Sequence, residues 1–492
     1  MLGLRLAGVG AVLSLGIVAL WFSEFGVMSG GGLAVFSFIL LVFLAGFPSA
    51  LSEVALTPFA STLPGSLRQI SRRLEIVGWL ALVNAVWLAG LLSVTLGLML
   101  ATLLLLSLIP SLLGIVATAQ LTSFLLWHLS WHRAFGISTF WVVTLASMFA
   151  LNKSRRKTAV FKVILLATVA SLVFFTALSL TLPGGVNPGV NYIFEGGWRS
   201  SLPPLVLATP VLSVGAGMGV LFHNAKGEAN TGFQSMLYPL VVIGVVFLAS
   251  MAFFSSGGAS GMVDAARRAI LPAALLDVFQ WWLASSAALS TWRGALGNAA
   301  SSFMVCAFTF AASLGCSATL DSASATIREE LRVSGRLALL VIMAPAAALS
   351  IMVTFAPSWV HLAFLVWWIT LGACVVALVE TLVVGWIVRV ERVAKQLGLA
   401  SSPMTQEALE LVLRFVAPAA LLVIIALSIL SPWQQVHLIA PPLTTLVPLM
   451  PQDVSSSLIY SSAAWLSVSV AAPLTLKIVA EKRKMKEEES ND

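Results

Sequence analysis

Apolar runs of about 20 residues recur along the chain, each long enough to cross a hydrocarbon layer ~30 Å thick as a helix. They fall near 6–23, 33–57, 74–104, 134–151, 159–182, 204–225, 235–256, 297–327, 337–355, 359–388, 412–430 and 457–479. The apolar stretch at 105–127 differs. It holds Pro110 and ends in "LLWHLSWHRAF", an aromatic-rich sequence suited to an interface, so it reads as an outer loop with helical pieces. The pattern predicts an all-α integral membrane protein with twelve transmembrane helices.

Charge placement tests the count. With both termini cytoplasmic, the inner loops hold Arg68, Arg72 and Arg73; Lys153, Arg155, Arg156 and Lys157; Lys226; Arg328, Arg332 and Arg336; and Arg389, Arg392 and Lys395. The outer loops keep Arg133, Arg199, Arg267, Arg268 and Arg293. A thirteenth span at 105–127 would reverse every later loop and violate this bias. The long mixed segment 255–292 is read as a helical outer lid, and 481–492 as a charged cytoplasmic tail.

Composition agrees with the pattern. Of 492 residues 59% are hydrophobic and 10% charged, and the mean hydropathy is +0.99. A soluble protein carries about 25% charged residues, so most of this apolar surface must face lipid. The net charge of +7 sits in small groups between apolar segments, which is membrane topology rather than a nucleic-acid surface. Cys306, Cys316 and Cys374 lie within spans and show neither metal nor disulfide spacing. His128 and His132 are spaced for one helix face but lack a nearby third ligand, so an interfacial role outweighs metal binding. No nucleophile–base constellation occurs, which argues against an enzyme.

The sixth span contains "VLSVGAGMGVLF", with glycines at 215, 217 and 219, and the first contains a related "VLSLG" at 12–16. Glycines alternating in this way disfavour a continuous helix. Transporters built from two repeats often place their site at helices interrupted in corresponding positions. The expectation is a helix break within Leu13–Val18 and another within Ser213–Gly219. Close helix packing is the alternative role for such glycines.

"WFSEFGVMSGGGLAVFSFILLVFLAGFPSALSEVAL", Trp21 to Leu56, resembles the first two spans of the neurotransmitter:sodium symporter family. The likeness lies in Phe22, the turn Gly30 to Gly32, Gly46, Pro48 and Glu53. "REELRVSGR", "LVETLVVGWIVRVER" and "LRFVAPAALLV" resemble parts of that family's eighth, tenth and eleventh spans. The resemblance implies the leucine-transporter fold in a single domain over 1–480. That domain has a first repeat about 6–182, an inverted second about 204–388, and extra helices about 412–479.

The resemblance also implies alternating access for a small amino acid or amine in the plasma membrane. Its central site would be formed by Leu13, Ser14, Gly16 and Ile17 of the first span and Leu92 of the third. Ser213, Gly215 and Ala216 of the sixth and Ser317 of the eighth would complete it. Glu53 and Glu380 would hold backbone exposed by unwinding. Trp21 and Leu365 stand at the outer gate in place of the family's charged pair, and Leu92 and Ala216 where its lid aromatics stand. His223 would line the inner pathway, and Asp321 would serve an inner gate.

The departures bear on coupling. In one sodium site of the family, the side-chain positions fall on Val18, Val211 and the apolar seventh-span segment "PLVVIGVVFLA". A hard cation requires oxygen ligands, so that site is expected to be lost. A second, weak sodium site would comprise Ala11, Ser14, Leu314 and Ser317, Ser317 contributing a side chain in only one of two registers. Na⁺ or H⁺ is then the candidate coupling ion, H⁺ carried by Glu53 or Glu380, and no other cofactor is expected. The competing reading is a transport-inactive relative acting as a membrane binding or scaffold protein.

Overall fold

In lipid every backbone N–H and C=O must find a partner within the chain, so long apolar segments close into helices. The computed structural model describes residues 31–108, 130–153, 157–182, 210–220, 240–248, 251, 294–355, 360–388, 390–396, 403–430 and 453–491. The helices are α1 (Gly31–Leu41), α2 (Phe47–Ala55), α3 (Leu63–Ile70), α4 (Glu75–Leu108), α5 (Ser130–Lys153) and α6 (Lys157–Leu180). Then follow α7 (Ala295–Leu331), α8 (Gly335–Phe355), α9 (Val360–Leu382), α10 (Val390–Gln396), α11 (Pro403–Leu411), α12 (Ala417–Leu430) and α13 (Asp453–Asn491). Shorter helical stretches cover 210–213 and 240–248.

Among the described residues, six helical segments are long and apolar enough to cross a membrane: Val35–Ala55, Glu75–Val94, Val163–Leu180, Ala295–Leu331, Trp368–Val388 and Gln406–Ile429. The protein is a multi-pass membrane protein. Burial separates the centre from the rim. The segments in α4 and α7 are 72% buried, whereas those in α6 and α11–α12 are 33% buried and turn residues such as Leu166 and Leu422 outward. α4 is the hub and packs on α5, α7, α8, α9 and α13. Trp79, in its first turns, is fully buried.

Among the described residues, three π-helical turns interrupt the α-geometry, at Val42–Gly46, Val383–Val388 and Val412–Val416. The first ends at Gly46, where a Cβ would fall 2.6 Å from the Pro210 carbonyl oxygen, so α2 presses directly on the sixth span. Pro48 follows just after the π-helical turn in a helix that continues from α1, where its missing N–H removes one backbone bond. α3 opens on Thr62, whose hydroxyl accepts from the Gly65 N–H at 3.1 Å.

Several boundaries differ from the hydropathy pattern. α4 continues through 105–108, apolar residues that the pattern assigned to an outer loop. Helix begins at Pro403 rather than 412, because "PMTQEALEL" supplies an N-terminal proline and good helix formers. The tail is not a separate element: α13 runs through "EKRKMKEEES" to Asn491, a Lys/Glu-rich stretch with high helix propensity. Residues 109–129, the lid segment 255–292, His128, His223 and the first span lie outside the described residues.

Candidate functional site: a broken helix held by a buried carboxylate

The sixth span stops being a helix where its glycines begin. Residues 210–213 are helical, 214–219 form turns, and Val220 is helical again. Gly215, Gly217 and Gly219 have φ of 71°, 74° and 68°, the left-handed region that glycine enters without a Cβ penalty. The upper half ends in a Schellman motif. Gly215 N–H donates to Leu212 O at 2.8 Å and Ala216 N–H to Val211 O at 3.2 Å, with the 5→2 and 6→1 pattern that satisfies late carbonyls. Gly217 has a second constraint, since a Cβ there would lie 2.2 Å from the Ala373 carbonyl oxygen of α9.

The groups freed below this cap go to other helices. Glu53 of α2, fully buried, accepts from Met218 N–H at 3.1 Å and Gly219 N–H at 3.3 Å through Oε1. Ser322 of α7 donates to the Gly219 carbonyl at 3.1 Å. A carboxylate facing two backbone N–H groups freed by the break is favoured by charge-assisted hydrogen bonding. The break is thus built into the surrounding packing.

Glu380 of α9 is also fully buried. The resemblance gave both carboxylates the same backbone-holding role. Among the described residues Glu53 takes it, while neither oxygen of Glu380 has a hydrogen-bond partner.

The other site residues divide. Ser213 is buried and donates to the Pro210 carbonyl at 2.9 Å, one turn back. Ala216 packs among Val211, Cys374, Ala377, Leu421 and Ile424. Leu92 of α4 and Leu314 of α7 belong to a different apolar cluster. Ser317 is buried beside them in sequence, and its hydroxyl donates to the Leu314 carbonyl at 2.8 Å. Among the described residues of the expected site, Leu92 and Ala216 thus lie in different apolar clusters, Ala216 beside the small Cys374 and Ala377 of α9. Leu13, Ser14, Gly16, Ile17, Ala11 and Trp21 lie outside the described residues, and Leu365 is placed only as part of α9. No cluster of three His, Cys, Asp or Glu suited to a metal occurs among the described residues.

Two features went unnoticed in the sequence. Asn84 of α4 is fully buried with no partner for its amide among the described residues, and a Cβ on Gly372 would meet its Oδ1 at 2.6 Å. An uncharged polar residue inside a long apolar span is itself a signal of function. The second is an ion cluster at the end of the bundle that carries α3. Arg68 bridges Glu75 at 3.2 Å and Glu330 at 3.0 Å, Trp79 donates to Glu75 at 3.4 Å, and Thr62 donates to Glu330. Burial alone would lower the Arg68 pKa, but the charges of Glu330 and Glu75 more than offset that and raise it. Its partners are 7 and 262 residues away, so no local motif reveals the cluster.

No protein-family model matches the chain, and no curated protein matches it. Among solved structures it is similar to MhsT, crystallised in complex with L-phenylalanine, at 16% identity and a TM-score of 0.67. The match covers 87% of this chain and 98% of that one. The chain has the helical leucine-transporter fold.

Proposed function

We propose that the protein is a secondary transporter that moves a small amino acid or related solute by alternating access. The observation that carries the proposal is the interrupted sixth span, whose freed backbone is held by Glu53 and Ser322. A helix break inside a membrane is tolerated only where protein or a cavity satisfies the backbone, and transporters use such breaks to bind solutes. The likeness to MhsT, solved with L-phenylalanine, supports an amino-acid ligand.

The full architecture belongs to the same proposal. It comprises twelve helices, an inverted 5+5 repeat over about 6–182 and 204–388, a first span broken at Leu13–Val18, and termini on the cytoplasmic face of the plasma membrane. The central site would draw on Ser14 and Ser213. Coupling to Na⁺ is weak or absent in this account, since Val18 and Val211 stand where oxygen ligands would be needed. A proton on Glu53 or Glu380, or uncoupled exchange, takes its place.

The test is a thermal-shift screen of purified protein against L-phenylalanine, small neutral amino acids and amines, with Na⁺ or choline. A ligand of the native state raises the melting temperature with its concentration. The expected result is a saturable shift that is similar in both salts. A shift that requires Na⁺ would overturn the coupling statement, and no shift with any solute would favour a transport-inactive relative.

A further inference from the structure

An open apolar groove of about 770 Å³ runs between α4, α8 and α13, with Ile327 of α7 also in its lining. Its walls include Val86 and Trp87, Pro345 and Leu349, and Val468 and Ala472. Ser467 and Thr475 are the polar side chains of the lining. The groove exists because side chains are small where bulk would close it, at Ala348, Ala471 and Ala472. Along α13 the lining runs from Ser467 to Leu476, nine residue steps or about 13 Å of helix. Half of a hydrocarbon core is about 15 Å. The groove therefore matches the depth of a single leaflet.

Its two ends differ in charge. Every helix that lines it reaches it from a basic residue at the same end. Lys477 follows Leu476 directly, Arg72 and Arg73 precede α4, Arg336 opens α8, and Arg328 follows Ile327. Arg72, Arg73 and Arg336 are exposed. Two bonds tie this rim together: Lys477 Nζ donates to the Arg72 carbonyl at 3.0 Å, and Arg483 donates to the Leu331 carbonyl at 2.5 Å. The acidic groups at this end among the described residues include Glu75 and Glu330, both bridged by Arg68, Glu329, beside Arg328, and the exposed Glu481. The balance is basic, on the face that the loop charges assign to the cytoplasm.

We propose that the groove holds an acyl chain of an anionic glycerophospholipid from that leaflet, its phosphate resting on the rim of Arg72, Arg73, Arg336 and Lys477. An apolar slot of one-leaflet depth accommodates a chain, and a cationic mouth selects the charge of the headgroup. This inference is independent of the transport reading. Lipid bound there would wedge α13 against α4 and α8 and fasten α13 to the turn before α4.

The experiment uses the delipidated full-length chain in detergent, titrated with dioleoylphosphatidylglycerol or dioleoylphosphatidylcholine. Bound lipid is counted by native mass spectrometry. The expected result is one phosphatidylglycerol retained at least tenfold more tightly than phosphatidylcholine. The double variant Arg73→Gln/Arg336→Gln weakens phosphatidylglycerol about tenfold or more, since each basic residue near a membrane surface contributes about 1 kcal/mol. Ala471→Trp, which fills the groove from an exposed position, removes the tight adduct while the lipid-free melting temperature stays as in the parent. Equal retention of the two lipids overturns the proposal, as does full phosphatidylglycerol binding in Ala471→Trp. It is likewise overturned if Ala471→Trp converts a lipid-free dimer to monomer, which would make the groove a contact between two copies.

Discussion

The segment 210–220 and helix α7 lie against each other, yet one is broken and the other runs unbroken for 37 residues. Small residues alone do not explain the difference. α7 contains Gly297 and Gly315 and many serines and threonines, and it stays helical. Several of its hydroxyls fold back on their own helix: Thr309 to Val305 O, Ser317 to Leu314 O and Thr319 to Gly315 O. In 210–220 every second residue from 215 to 219 is a left-handed glycine, a pattern that no right-handed helix can absorb. The released groups then find Glu53 and Ser322 on neighbouring helices. Exposed backbone in lipid costs several kcal/mol per group, so a break persists only where other elements supply partners. Glycine permits the break, and the external partner makes it stable.

That contrast can be broken at its strongest point by Gly217→Ala. The left-handed φ costs a Cβ-bearing residue about 1–2 kcal/mol, and the Ala373 carbonyl leaves no room for it. We expect a loss of about 3 kcal/mol or more, seen as a collapse of the monodisperse peak or a large fall in melting temperature. Gly335→Ala is the control, because no atom lies within 4 Å of its added Cβ, and it should leave the melting temperature nearly unchanged. If the two variants behave alike, the conformation of Gly217 is not what holds the break.

Next in size is Glu53→Gln. It keeps an acceptor but removes the charge that faces two N–H groups, for an expected loss of about 1–3 kcal/mol. Asp321→Asn, at a half-buried site on α7, should cost less in both stability and turnover. Equal melting temperatures for parent and Glu53→Gln would remove the carboxylate from the account. Ser322→Ala should be the mildest, at about 1 kcal/mol, for one neutral hydrogen bond to Gly219. A cost as large as that of Glu53→Gln would mean that α7, rather than α2, is the main support.

The membrane class was legible because the apolar run lengths match the bilayer, and the break at 214–219 because glycine alternation has a direct backbone meaning. The continuation of α13 through "EKRKMKEEES" was not, since hydropathy ends where the charges begin while helix propensity does not. The π-helical turns among the described residues left no trace, since VFLAG, VVGWIV and VLRFV carry no feature that separates them from α-helical sequence. The pairing of Arg68 with Glu330 across 262 residues requires the fold before it can be seen. Glu53 was singled out through family resemblance. Its spacing from Met218 and Gly219 in sequence carries no such information. Ser213 and Ser317 each donate a hydroxyl hydrogen bond to a carbonyl one turn back, a contact that sequence alone does not distinguish from a ligand role.

The most direct test of the central claim is uptake by proteoliposomes of radiolabelled L-phenylalanine, and of the solute giving the largest thermal shift. An imposed Na⁺ gradient, a choline control and a pH gradient are compared, with the Glu53→Gln variant alongside. The account predicts saturable uptake by the parent that is similar in Na⁺ and choline and much reduced in Glu53→Gln. Uptake that requires Na⁺ and saturates with it would contradict the coupling statement. No saturable uptake of a solute that demonstrably binds would contradict transport itself.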